Sequence, residues 1–154
     1  MPKYWLMKSE ADVYSIDDLR RDGRTLWDGV RNYQARNNMK EMKEGDLVLY
    51  YHSRQSPSAV TGLARVVRES YPDPTQFDPG HKYFDEKSSE EDPRWWLVDI
   101  EFVRAFDHPV GLPDIKARSD LSEMVLVRNS RLSVQPVLEQ EFQTVLKMAG
   151  EAMP

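Results

Sequence analysis

The sequence has no cysteine among its 154 residues, which removes disulfides, thiolate metal ligands and a cysteine nucleophile. That absence favours a reducing compartment, so the chain is expected in the cytoplasm, or in the nucleus of a eukaryotic source. Long apolar runs are missing as well. No stretch approaches the roughly 20 apolar residues of a membrane helix, and the opening MPKYWLMKSE meets a lysine and a glutamate too early for a secretory signal. No membrane partner is expected. His52, His81 and His108 lack metal-ligand spacing and the carboxylates are scattered, so neither a metal site nor a cofactor is expected.

A basic surplus is also absent. The net charge of −5 argues against general nucleic-acid binding, which needs a face able to neutralise phosphate. The average conceals a division: residues 1–68 carry 12 Lys/Arg against 9 Asp/Glu, and residues 69–101 carry 3 against 10. The acidic stretch Asp85 to Asp92 reads as a solvated loop.

What is present is a soluble globular composition, 40% hydrophobic and 31% charged, at the size of one domain. Residues 1–150 are assigned to that domain and 151–154 to a tail, with a monomer favoured. Tyr4 to Lys8 reads as a buried strand. Ser15 with Asp18 is a capping pattern for a helix through Arg21. Asn32 can cap a second helix through Met42, and Gly45-Asp46 turns the chain into a strand to Ser53. Ala59 to Glu69 and Arg94 to Phe106 continue as strands. Leu112 to Ala117 reads as a short helix, Arg131 to Val134 as a short strand, and Leu138 to Met148 as an amphipathic helix with Phe142, Val145 and Leu146 inward. Tyr71 to Pro93 is a long loop, functional or poorly ordered. The sum is an α+β fold: a curved, mostly antiparallel sheet or partial barrel with helices packed around it.

The run TLWDGVRNYQARNNM, residues 25–39, is the densest in chemistry. It joins an aromatic, Trp27, to Gly29, which permits a close neighbour or a positive φ, and to Asn32 at a helix start that leaves N–H groups free. Asp28 and Val30 complete the turn. Arg31 and Arg36 add donors suited to phosphate, with Arg54 and Arg131 of second rank. Tyr51, His52 and Ser53 end a predicted strand, where side chains commonly line a site.

Taken together, YWLMKSE at 4–10, LWDGVRNYQARNNM at 26–39, GDLVLYYHS at 45–53, YPDPTQFDP at 71–79, PRWWLVDIEF at 93–102 and RLSVQPV at 131–137 resemble the EVE domain. That family belongs to the PUA-like superfamily and is similar in fold to YTH domains, readers of N6-methyladenine in RNA. The resemblance implies a PUA-like barrel or sheet with a pocket for a modified base in DNA or RNA. It implies Lys8 and Ser9 after the first strand, Trp27 as cage aromatic, Asn32 as polar reader and Gly62 to Ala64 beside the pocket. The LSVQP run would bring Ser133 and Gln135 to the same place. Stacking and a few fixed polar groups suffice to hold an extruded base, so no catalytic residue is assigned. Two other readings remain open. One is a hydrolase of modified nucleosides, with Lys8, Glu10, Asp28 and His52 moving protons. The other is a protein-interaction module using the acidic loop.

Overall fold

In a computed structural model, residues 2–154 are described. The chain begins with β1 (Tyr4–Glu10), turns into α1 (Ile16–Asp22), makes a three-residue strand β2 (Arg24–Leu26), and enters α2 (Tyr33–Glu41). The strands β3 (Leu47–Ser53), β4 (Ala59–Pro72) and β5 (Trp96–Gly111) follow. Two short helices, α3 (Leu112–Lys116) and α4 (Val125–Arg128), lead to β6 (Val134–Val137) and the closing helix α5 (Glu139–Ala149). The six strands form one sheet in the order β2-β5-β4-β3-β1-β6. Only the central pair β1 and β3 runs parallel, Tyr4 opposite Leu47 through Glu10 opposite Ser53.

Both faces of the central strands are covered, which is why their sequences read as unbroken apolar runs. Side chains alternate across a strand. Tyr4 and Leu6 of β1 join Leu49 of β3 on one face, beneath Phe142, Val145 and Leu146 of α5. Trp5 and Met7 join Val48 and Tyr50 on the other, beneath Leu19 of α1 and Ala35 and Met39 of α2. The buried carboxylate of Asp46 aligns the two strands. It accepts hydrogen bonds from Trp5 Nε1 at 2.9 Å and from the backbone N–H groups of Lys3 and Lys43, each at 3.0 Å.

Helix α1 is pinned at its N-terminus by more than its Ser15–Asp18 capping box. The Ile16 N–H donates to Nε2 of buried His52 at 3.0 Å, and the Tyr50 hydroxyl donates to the Tyr14 carbonyl at 2.7 Å. The Ile16 side chain fills the space over Gly62. A Cβ at Gly62 would collide with the Arg104 carbonyl oxygen and lie 2.8 Å from Ile16 Cγ1.

Of the sheet or partial barrel expected, the structure has the sheet: it stays open, with β2 and β6 at its edges. The last strand lies three residues later than the expected Arg131–Val134. Its Pro136, opposite Trp5, is accommodated because β6 pairs with β1 alone and its other edge needs no donor. Neither β2 nor α4 was expected, since three or four residues carry no readable period. The loop from Tyr71 to Pro93 is an ordered strap. Fully buried Gln76 ties its two ends, donating from Nε2 to the carbonyls of Asp73 and Trp95 at 2.7 Å and accepting at Oε1 from the N–H groups of Arg94 and Trp95.

Two stability measurements follow from the α1 anchor. Gly62→Ala must push Ile16 and the Arg104 backbone apart, and urea denaturation should show a loss of roughly 1–3 kcal/mol. Burial lowers the proton affinity of His52 against the weaker opposing pull of Asp17 and Asp18. The folded state thus prefers the neutral acceptor, while the unfolded ring titrates near its reference value of about 6.5. Stability should be whole above that pH and decline as pH falls below it. His52→Gln should remove this part of the decline.

Candidate functional site

The C-terminal end of β1 opens into a cavity of about 600 Å³, within the size range of small-molecule sites. One wall is Lys8, Ser9 and Glu10 of β1. The second is the run from Thr25 through Arg31, which connects β2 to α2. His81, Lys82 and Tyr83 of the strap close a third side, with Val13, Tyr14 and Ser133 at the margin.

Trp27 is held at the base by its own backbone and by packing. Its N–H donates to the Val98 carbonyl at 2.9 Å, prolonging the β2–β5 ladder by one residue. Its ring meets Tyr50 edge-on at 5.6 Å. The indoles of Trp5 and Trp95 donate to Asp46 and Asp85, whereas the Trp27 indole N–H makes no hydrogen bond among the described residues. Exposed Leu26 and Val13 add an apolar lip.

The strap is fastened over Gly29. That residue has φ +81°, and a Cβ there would overlap the Tyr83 ring. Glycine is required for both reasons. The Gly29 N–H donates to Asp73 at 2.9 Å, and Arg31 Nη1 meets the same carboxylate oxygen at 3.1 Å. Arg31 Nη2 goes on to Thr75 Oγ1 at 3.1 Å and to the Tyr83 carbonyl at 2.7 Å. The Asp73 side chain is 1% exposed and that of Arg31 23%. Burial alone would raise the Asp73 carboxyl, but hydrogen bonds from Thr75, Gly29 and Arg31 outweigh it and hold it below the usual carboxylate range.

Two charged groups on the cavity wall lack this compensation. Burial lowers the pKa of Lys8, whose ammonium donates to the Ser130 carbonyl and lies 5.5 Å from the Tyr51 ring centroid. Asp28 is raised, first by burial and then by the neighbouring Asp73 charge. Glu10, by contrast, is paired with Arg54 at 3.0 Å. The cavity therefore offers the cations of Lys8 and Lys82, the acceptor carboxylate of Asp28 and an aromatic wall in a partly desolvated setting.

Of the residues proposed from sequence, Lys8, Ser9, Trp27, Asp28, Gly29, Val30 and Ser133 line this cavity, together with Arg31. The others lie elsewhere. Asn32 accepts from the Ala35 N–H at 2.9 Å as the α2 cap. Tyr51 faces the opposite core, as the strand period requires of the neighbour of Tyr50, and His52 spends its Nε2 on Ile16. Ser53 is opposite Glu10 at the end of β3. Gln135 is fully buried and donates to the Leu132 and Asn129 carbonyls. The phosphate candidates are also dispersed. Arg31 is committed to Asp73, Thr75 and Tyr83, while Arg36 lies outside the cavity lining and donates to Asn37 and the Arg94 carbonyl, with no carboxylate partner among the described residues. Arg54 is on Glu10, and Arg131 is exposed outside the cavity lining. Sequence reasoning missed the strap's contribution, above all Tyr83. The positive-φ glycine was the available signal, since it announces a close neighbour without naming it.

Comparison with known proteins places this architecture. Residues 3–148 match the family described as EVE domain. Human thymocyte nuclear protein 1 is 39% identical over 167 residues, spanning 96% of this chain and 74% of the relative. An uncharacterized protein of Schizosaccharomyces pombe is 30% identical over 99% of this chain and 70% of its own length. Among solved structures, human THYN1 protein in complex with DNA containing 5-methylcytosine superposes with a TM-score of 0.91, at 38% identity over 99% of both chains. A hypothetical protein from Leishmania major gives 0.93, at 46% identity over 97% of this chain and 96% of that one. The YTH domain of Zygosaccharomyces rouxii MRB1, in complex with N6-methyladenosine RNA, shares the fold at 12% identity and a TM-score of 0.56, over 99% of this chain and 89% of that one. The chain belongs to the EVE domain family.

Proposed function

We propose that this protein is a nucleic-acid-binding module that captures a single modified base in the cavity in front of Trp27. The observation that carries the reading is a buried aromatic whose indole N–H has no partner among the described residues, in a cavity lined also by Asp28 beside it and Lys8 on the adjoining wall. The reading is supported by the 5-methylcytosine DNA held by the human relative of the same family. A 5-methylcytosine base fits these groups chemically. Its exocyclic amino group is a donor suited to a carboxylate such as Asp28. Its ring nitrogen and carbonyl are acceptors suited to Lys8 or Ser9. Its methyl group suits the lip of Leu26 and Val13. The aromatic wall supplies a contact that tolerates any base, and the polar groups select among bases.

Trp27→Ala should weaken binding of a 12-nucleotide oligomer with one central 5-methylcytosine by roughly 10- to 100-fold, the equivalent of a lost stacking contact of about 1–3 kcal/mol. Fluorescence anisotropy at low salt measures this. Equal affinity of the variant and the parent would remove Trp27 from the pocket. Asp28→Asn can donate as well as accept, so it should narrow the preference for amino-bearing over keto-bearing bases in the same assay. Asp73→Ala should release the strap, leaving Arg31 part-buried without its partner. Faster proteolytic cleavage between residues 73 and 93 and a stability loss of roughly 3–5 kcal/mol are expected.

A further inference from the structure

Beside the cavity lies a second feature that base capture does not use. Helix α2 buries Ala35 and Met39 and turns Tyr33, Arg36 and Lys40 outward, positions three and four residues apart on one face. Tyr33 is 51% exposed although it is a large aromatic. Its ring stacks on Trp95 at 4.9 Å with 23° between planes, and the Arg36 guanidinium lies 4.7 Å from its centroid. Arg94 Nη1 reaches the Tyr33 hydroxyl at 3.5 Å, and Lys40 lies 4.7 Å from the Trp96 ring.

These three cations lie together on one face beside two aromatic rings, outside any carboxylate ion pair among the described residues. Nine Lys and Arg residues form ion pairs with carboxylates. Arg36, Lys40 and Arg94 form none among the described residues. Arg36 instead donates to the Asn37 side chain and to the Arg94 carbonyl. Asp85 is the carboxylate whose charge is felt by Arg94, without a direct ion pair, and it accepts from the Trp95 indole at 2.7 Å. The strip is continuous with the cavity, because the Arg31 guanidinium lies 5.4 Å from both the Trp95 and the Tyr83 rings.

We infer that this strip is the track of a DNA strand: Arg36, Arg94 and Lys40 receive its phosphates, and a base flanking the captured one packs at Tyr33. Interleaved aromatics and cations outside direct carboxylate ion pairs are the pattern that holds single strands. The identification of the strand as the one entering the pocket rests on the proposed base capture. The capacity of the strip for DNA does not.

The experiment uses the full chain with two 12-nucleotide single-stranded DNAs, one unmodified and one with a central 5-methylcytosine, and with the free nucleoside 5-methyl-2′-deoxycytidine. The variants are Tyr33→Leu, the double change Arg36→Gln with Arg94→Gln, and a control of equal charge per site, Lys116→Gln, on α3 beneath the other face of the sheet. Both strip variants should weaken both oligomers about tenfold or more and leave the nucleoside affinity unchanged. The double change should also flatten the dependence of log K on log salt by about 1.4, two phosphates at about 0.7 each for single strands. Lys116→Gln should leave the salt slope as it is. Thermal unfolding of each variant separates lost contact from lost fold. Unchanged oligomer affinity and salt slope in a folded strip variant overturn the inference, as does parent protein that binds neither oligomer at low salt. Oligomer binding that depends on the strip but shows no effect of the methyl group or of Trp27→Ala would uphold the track and overturn base capture.

Discussion

The carboxylate of Asp73 accepts hydrogen bonds from Gly29, Arg31 and Thr75, joining the segment between β2 and α2 to the segment after β4. Almost everything at the site depends on that junction. It places the strap across Gly29, brings Tyr83 to the cavity wall, and holds Arg31 beside both the Tyr83 and Trp95 rings. Removing an ion from water is expensive, and a buried pair is tolerable only when its remaining donors and acceptors are satisfied. Here the satisfaction is shared between two stretches more than forty residues apart, so neither stretch keeps its shape without the other.

The sheet supplies the frame for this junction. Parallel pairing of β1 and β3 at the centre brings their C-terminal ends to one edge of the molecule, and α1 is locked there by Ile16, His52 and Gly62. The cavity opens where β1 runs out of helix cover. Trp27 belongs at once to the core beneath α1 and α2 and to the cavity wall, so the same packing that stabilises the fold fixes the aromatic surface. An aromatic whose rotamer is already set loses little entropy when something packs on it.

Charge is organised with the same economy. The acidic excess of the middle third is largely solvated at Glu86, Glu90, Glu91 and Asp92, while Asp73 and Asp85 are spent internally on Arg31 and Trp95. Among the described residues, Arg36, Lys40 and Arg94 stay outside direct carboxylate ion pairs on one side of an otherwise negative protein. A surface of mixed sign can therefore present a positive strip without a positive net charge.

Much of the frame was legible residue by residue. Unbroken apolar runs announced β1 and β3, and the β-rich runs after them announced β4 and β5. Ser15 with Asp18, and Asn32, announced the starts of α1 and α2, because these signals are local and their energetics act within a few residues. Trp27, Asp28 and Gly29 stood out for the same reason. Matters of distance and direction were settled by the completed fold. It decided that the sheet stays open, that Asn32, His52 and Gln135 turn their polar atoms to backbone partners, and that Tyr51 packs into the core on the opposite face. It decided too that Arg31 is consumed by Asp73 and that Tyr83 is the neighbour for which Gly29 leaves room. The partners in each of these contacts are separated by anything from three residues to more than fifty, and the same side chains could as readily have faced solvent. Composition and period report what a segment can do alone, whereas the pairing of buried polar groups depends on which segments the completed sheet brings together.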